Sequence, residues 1–150
     1  MVKKEAKKVV HHKEVTVEAK KTDRYIEGVG RRKTSIARVR IVGGNGKFVV
    51  NDKDLNSYFQ MPVLESCVLS PFIKAKIEGV FDVSARVSGG GIHAQAEAVR
   101  LGLSRALALK NADFQKKLHR LGFLTRDSRM VERKKYGLRK ARRAPQWQKR

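Results

Sequence analysis

The sequence predicts an α+β domain, with a small sheet and helices packed on one face of it, between two basic appendages. Apolar and polar residues alternate in segments 34–42 and 80–88, which indicates two half-buried strands. Segment 92–110 instead repeats its apolar residues with the helical period. Both chain ends are basic. The first is of low hydrophobicity, and the last has almost no large aliphatic residues beyond Val131 and Leu138, so it cannot form a core. The predicted parts are a disordered N-terminal arm at 1–24, the globular domain at 25–124 and an extended C-terminal tail at 125–150.

The first strand is expected to belong to a β-hairpin. In residues 34–42 the apolar side chains would face the core and the arginines the solvent. Residues 43–46 read Gly-Gly-Asn-Gly, which tolerate the positive φ angles of a tight turn. Segment 48–51, which reads Phe-Val-Val-Asn, would return as the second strand of the hairpin.

Two helices are expected between this hairpin and the second clear strand. Residues 54–61 favour a short helix with Asp54 near its N-cap. The apolar segment 63–69 lies between Pro62 and Pro71 and favours helix over strand.

The second half of the domain reads as strand, turn and helix. In residues 80–88, alternate positions are apolar from Phe81 to Val87. The glycines of segment 89–91 end that strand, and a helix over 92–110 follows. Gly102 in its middle costs about 1 kcal/mol relative to alanine, which a close backbone approach would justify. The apolar stripe of this helix is Ile92, Ala96, Val99, Leu103 and Leu107.

A last helix is predicted to begin after Asn111, whose side chain can cap it. Phe114, Leu118 and Leu121 fall on one buried stripe, and Gly122 would end the helix.

The charge of the chain predicts a polyanionic partner. Among 150 residues, 35 are Lys or Arg and 14 are acidic, which gives a formal charge of +21. Segment 126–150 alone has eleven basic and two acidic residues, a net charge of +9. Such density is self-repelling in a free compact protein, and contact with phosphates relieves it through counterion release. Nucleic acid is therefore the expected partner.

Composition argues against several other classes of protein. No run of about 18 apolar residues is present, so we expect no membrane span. The start of the chain lacks the apolar stretch of a secretory signal. Cys67 is the only cysteine, so no intramolecular disulfide can form, and its apolar surroundings suit a small core residue.

Several motifs are candidates for RNA contact, and each has a plainer alternative. Gly28 and Gly30 precede three cations at 31–33. This segment is either a phosphate-binding turn or an exposed strand end. The glycines at 89–91 could bring backbone amides to a phosphate or simply form a tight turn, and no Gly-Lys-Ser/Thr follows to suggest a nucleotide cofactor.

Single side chains add further candidates. Arg100 and Arg105 on the polar side of the long helix are RNA contacts or solvated charges. Tyr136 and Trp147, in a tail without a core, could stack on unpaired bases.

Catalysis has no support in the sequence. None of the four histidines has the Cys/His spacing of a zinc site, and no nucleophile or paired-carboxylate motif is apparent. We expect no enzyme activity, no catalytic residue, no metal and no cofactor. A DNA packager or free nucleic-acid-binding regulator, and more remotely a nuclease, are the competing classes.

Three stretches together resemble a known family. They are Tyr25-Ile-Glu-Gly-Val-Gly-Arg-Arg-Lys-Thr-Ser-Ile-Ala-Arg-Val39, Ser88-Gly-Gly-Gly with the 95–107 helix Gln-Ala-Glu-Ala-Val-Arg-Leu-Gly-Leu-Ser-Arg-Ala-Leu, and the 127–143 run Asp-Ser-Arg-Met-Val-Glu-Arg-Lys-Lys-Tyr-Gly-Leu-Arg-Lys-Ala-Arg-Arg. In this order and spacing they resemble small-subunit ribosomal protein nine in its bacterial form, over about residues 25–150. The resemblance implies a domain like the second domain of ribosomal protein five.

The resemblance also implies a function in translation. The domain would bind small-subunit ribosomal RNA in the head, beside neighbouring head proteins, in the cytoplasm on the ribosome. The tail would thread through that RNA, and Lys149 and Arg150 would approach the anticodon stem-loop of peptidyl-site tRNA. Trp147 and Gln148 depart from the usual Tyr or Phe and Ser, and residues 1–24 exceed the usual start.

The expected contacts with ribosomal RNA combine the motifs above with the cations of the tail. They are Arg31, Arg32, Lys33, Arg38, Gly89, Gly90, Gly91, Arg100, Arg105, Arg126, Arg129, Arg133, Lys134, Lys135, Arg139, Lys140, Arg142 and Arg143.

Overall fold

The computed structural model describes residues 25–77 and 81–149. The predicted disorder of residues 1–24 falls outside this range. The elements within it, in chain order, are β1 (Ile26–Arg32), β2 (Ser35–Gly43), β3 (Phe48–Val50), β4 (Lys53–Asp54), α1 (Leu55–Tyr58), α2 (Pro62–Ala75), β5 (Phe81–Ser88), α3 (Ile92–Lys110) and α4 (Ala112–Arg120). We call the packed elements from β1 to α4 the domain.

The five strands form one small mixed sheet in the order β1-β2-β5-β3-β4. Neighbours are antiparallel except β3 and β5, which are parallel. Helix α3 packs on β1 and β2, and α2 and α4 pack against α3. The core lies between the sheet and these helices, which confirms the predicted α+β class.

The predicted hairpin between residues 34–42 and 48–51 is wrong. Strand β2 pairs with β1 across a tight turn, with Arg32 opposite Ser35. Strand β3 lies on the far side of β5. The Asp82 side chain accepts hydrogen bonds from the backbone N–H groups of Asn45 and Lys47, both at 2.9 Å, and so fixes the loop that carries the chain past β5. The hydrogen bond from Lys47 is the main reason that the pKa of Asp82 is lowered.

Strand β1 and helix α3 meet along a seam of glycines. Gly28 and Gly30 are buried on the inner side of β1, and Gly102 faces them from α3. A Cβ on Gly30 would lie 2.5 Å from the Gly102 amide nitrogen, and one on Gly28 would lie 2.7 Å from the Ala106 nitrogen. The close backbone approach expected at Gly102 is therefore present. Gly28 and Gly30 lie within strand β1 and are buried, so they form neither a phosphate-binding turn nor an exposed strand end.

Helix α2 is confirmed and extends beyond the predicted 63–69 segment, with Pro71 inside it. Proline has no N–H to donate to the carbonyl four residues earlier, which here is that of Cys67. The Ser70 hydroxyl donates to this carbonyl at 2.7 Å and replaces the missing bond. Cys67 itself is only partly buried.

Helices α3 and α4 largely follow the predicted pattern. On α3 the stripe from Ala96 to Leu107 is fully buried, whereas Ile92 at its first residue is exposed. Asn111 caps α4, because its side chain accepts the Asp113 N–H at 3.1 Å. Leu118 is fully buried, but Leu121 is 42% exposed, because it follows the last helical turn and does not continue its stripe.

Candidate nucleic-acid interface

The outer face of the sheet is strongly basic. Side chains alternate across a strand, so the inner apolar positions of β1, β2 and β5 leave their polar neighbours on the surface away from the helices. Four exposed arginines share this surface, which we call the arginine face: Arg31, Arg38, Arg40 and Arg86.

Arg38 and Arg86 lie directly opposite each other in the antiparallel β2–β5 register. Like charges in this position destabilise a sheet. Neither guanidinium has an ion-pair partner among residues 25–77 and 81–149. The sheet therefore holds an unneutralised positive pair on its solvent face.

Arg40 is held in place by the rest of the same face. Its Nε donates to Glu27 at 3.1 Å, and its guanidinium lies over the Tyr25 ring, 4.6 Å from the centroid. Arg40 and Arg86 were not among the predicted contacts. The alternation in segment 80–88 already placed Arg86 on the outer face, so that signal was available in the sequence.

Two of the arginines that were predicted to contact RNA make their contacts within the domain. Arg105 donates from Nη1 to the Val29 carbonyl at 2.7 Å, which ties α3 to β1. Arg100 lies 3.6 Å from the Cys67 sulfur and over the Phe123 ring, 5.6 Å from its centroid. Both are thus intramolecular contacts of α3.

Arg32 is the most buried of the predicted contacts, with 8% of its surface exposed. Its Nε donates to Glu97, its Nη2 pairs with Asp127 at 3.0 Å, and its Nη1 donates to the Arg129 carbonyl at 2.8 Å. We call Arg32, Glu97, Asp127 and Arg129 the Arg32 cluster. It joins β1, α3 and the beginning of the tail.

The Asp127 carboxylate has a second partner in this cluster. The Arg129 guanidinium donates to it at 2.6 and 3.0 Å, and the Arg129 backbone N–H donates to Oδ1 at 2.9 Å. These bonds, with the charge of Arg32, hold the pKa of Asp127 well below its usual range. The carboxylate is therefore ionised at neutral pH and binds both arginines.

The glycines at 89–91 form a tight connection between β5 and α3. Gly89 and Gly90 have φ angles of +73° and +66°, which side chains other than glycine rarely adopt. The Gly89 carbonyl accepts from the Ser35 hydroxyl at 2.9 Å and from the Gln95 amide at 3.1 Å. The turn alternative thus accounts for the glycines, and their backbone remains exposed at the surface.

The tail presents its cations to solvent. Within residues 126–149 every Lys and Arg is exposed, as are Tyr136 and Trp147. Glu132 pairs with Lys135 at 2.9 Å and Arg142 at 2.8 Å, and the hydrogen bonds from both cations lower its pKa. Arg150 lies outside the described residues.

The described residues show no group of side chains suited to a metal ion. No helix among them is both long and apolar enough to cross a bilayer.

Comparison with protein families decides the identity of the chain. The family described as Ribosomal protein S9/S16 matches residues 30–150. The chain belongs to the ribosomal protein S9/S16 family. This confirms the resemblance found in the sequence and makes the chain a ribosomal protein of the small subunit. The S9/S16 match spans most of the sheet, the Arg32 cluster and the tail.

Proposed function

We propose that this S9/S16 protein is a non-enzymatic, structural constituent of the small-subunit head, working in the cytoplasm on the ribosome. It binds ribosomal RNA beside neighbouring head proteins, and the tip of its tail contacts peptidyl-site tRNA. The globular part predicted at 25–124 supplies one RNA surface, and the tail, residues 125–150, supplies the other. Its net charge of +21 supports a polyanionic partner along the whole chain.

The observation that carries the proposal is the pairing of Arg38 with Arg86 across β2 and β5. A folded protein gains nothing from two facing, unneutralised guanidinium groups. A phosphate between them would turn repulsion into two charge-assisted hydrogen bonds. RNA backbone therefore fits this face better than water does.

We divide the proposed contacts into two kinds by their burial and their bonds. Arg32, Arg100 and Arg105 bond within the protein and, unlike the other cations, are not exposed, so we assign them to positioning. The glycines Gly89, Gly90 and Gly91 would approach RNA only through their backbone. The side chains that we propose for ribosomal RNA are Arg31, Lys33, Arg38, Arg40, Arg86, Arg126, Arg129, Arg133, Lys134, Lys135, Arg139, Lys140, Arg142 and Arg143.

The double variant Arg38→Ala/Arg86→Ala is expected to weaken binding to small-subunit RNA. Each lost phosphate contact should lower the slope of log K against log salt by about 0.7–0.9, so the pair should lower it by about 1.4–1.8. Filter binding across a salt series measures this slope. The matched control is Lys116→Ala/Lys117→Ala on α4, which removes the same charge away from the sheet. An equal loss of slope in both variants would mean that the arginine face is not the contact.

Co-sedimentation tests the assignment to the ribosome. In a sucrose gradient of a lysate, the protein should migrate with the small subunit. Migration free of the subunit, together with salt-dependent binding to duplex DNA, would favour the DNA-packaging alternative.

Deletion of Lys149 and Arg150 is expected to leave subunit assembly intact and to weaken tRNA binding modestly. Two lost contacts should reduce the salt slope of tRNA binding by about 0.7 each, if they bind single-stranded loops. Filter binding of tRNA to purified subunits measures the effect. Lys116→Ala/Lys117→Ala on α4, which removes the same charge outside the proposed RNA contacts, is the control. Unchanged affinity and slope after the deletion would eliminate the tRNA contact.

A further inference from the structure

The Arg32 side chain makes its polar contacts inside the protein. Only 10% of it is exposed, and each of its three guanidinium nitrogens has an acceptor. A buried guanidinium is retained only when it is paired and hydrogen-bonded, as it is here. Burial and these bonds thus turn the Arg32 guanidinium toward the protein interior, whereas its neighbours Arg31 and Lys33 are exposed.

The partners of Arg32 come from distant parts of the chain. Glu97 lies in the middle of α3, whereas Asp127 and the Arg129 carbonyl follow α4. The acceptors thus hold the first residues of the tail against β1 and α3. Because the central guanidinium is shielded from water, salt screens these pairs less than pairs at the surface.

The segment before the cluster also returns to the domain. The Phe123 N–H donates to the Leu118 carbonyl at 3.0 Å, and Gly122 has a φ angle of +71°, which turns the chain after α4. The Phe123 ring is only partly exposed and has Lys74 and Arg100 over it, at 5.8 and 5.6 Å. Residues 122–129 therefore follow the domain surface and do not leave it at the end of α4.

The cluster is also neutral in charge. Two carboxylates, of Glu97 and Asp127, balance the two guanidinium groups of Arg32 and Arg129. Asp127 and Glu132 are the only acidic residues after Asp113, so the sequence places one of its two late carboxylates at this point. The rest of the tail, from Met130, carries nine basic residues and one acidic residue.

We propose that the Arg32 cluster is an intramolecular anchor that fixes where the tail leaves the domain, with Arg32 and Asp127 as its positioning residues. The tail then extends from Arg129 and not from the end of α4. The remaining 21 residues span at most about 70 Å at 3.3 Å per residue. What the tail touches at that distance rests on the proposed function, but the anchor itself is a property of the free protein.

The test measures the distance from the sheet to the start of the tail in the free, full-length protein. In a Cys67→Ser background, Ser84→Cys and Met130→Cys, at two exposed positions, carry spin labels for pulsed electron–electron double resonance. The parent should give one narrow distance distribution. Asp127→Asn, which keeps the side-chain shape and removes the charge, should lose the narrow component. If the distance distribution of the parent were as broad as that of Asp127→Asn, the proposed anchor would be wrong.

Glu132→Gln is the matched control, because it neutralises the other carboxylate of the tail outside the cluster. It should keep the narrow distribution, and equal broadening in this variant would show that general tail charge, not Asp127, orders the segment. The melting temperature of each variant separates loss of the anchor from unfolding of the domain. Because no RNA is present, a failure of this test leaves the RNA-binding proposal intact, and a failure to bind RNA leaves the anchor intact.

Discussion

Gly30→Ala is expected to destabilise the domain by about 3 kcal/mol or more, at the upper end of the range for overpacked cores. The new Cβ would meet the backbone of α3 at Ala98 and Gly102, and backbone cannot move aside like the end of a flexible side chain. Strand β1 and helix α3 would have to separate along the whole glycine seam. Urea denaturation of the free protein measures the free energy of unfolding.

The chain provides a matched control in Gly43, the last residue of β2. A Cβ there would meet nothing within 4 Å, so Gly43→Ala should change stability by no more than about 0.5 kcal/mol. If Gly30→Ala destabilised the domain no more than Gly43→Ala, β1 and α3 would not be in close backbone contact.

Leu103→Ala is expected to cost roughly 2–5 kcal/mol, the usual range for truncating a large aliphatic side chain in a core. Leu103 lies on the inner stripe of α3 with no exposed surface. Leu109, on the same helix, is 71% exposed, so Leu109→Ala should cost no more than about 0.5 kcal/mol. The same denaturation measurement applies. A cost of only a few tenths of a kcal/mol for Leu103→Ala would mean that Leu103 does not lie on the buried face of α3.

The elements predicted correctly are those whose pattern is local. Strand β5 and helix α3 each bury one regular apolar face, so the periods of two and 3.6 residues were visible in the sequence. The Asn111 cap was equally local, because it depends on residues within one turn of the helix. Leu121 was misplaced because the helical period was extended past the end of α4.

The elements missed depend on distant parts of the chain. Strand β1 presents Gly28 and Gly30 to the core, so it lacks the alternating apolar signal of an ordinary strand. The false hairpin came from a glycine-rich turn whose path is set by Asp82, more than thirty residues away.

The same limit applies to the candidate interface. Counting charges predicted a basic surface but could not separate paired from free arginines. Arg31 and Arg32 are adjacent in sequence, yet one is exposed and the other is enclosed by carboxylates from α3 and the tail. Only the fold reveals that difference.

The facing pair of Arg38 and Arg86 bears on how long a newly made copy survives. A ligand that binds only the folded state stabilises it by mass action. On the proposed function, copies without RNA keep the repulsion across β2 and β5, so we expect them to open more often and to be cut sooner by cellular proteases. Turnover of surplus copies is thus expected to keep the level of this protein in step with ribosome production.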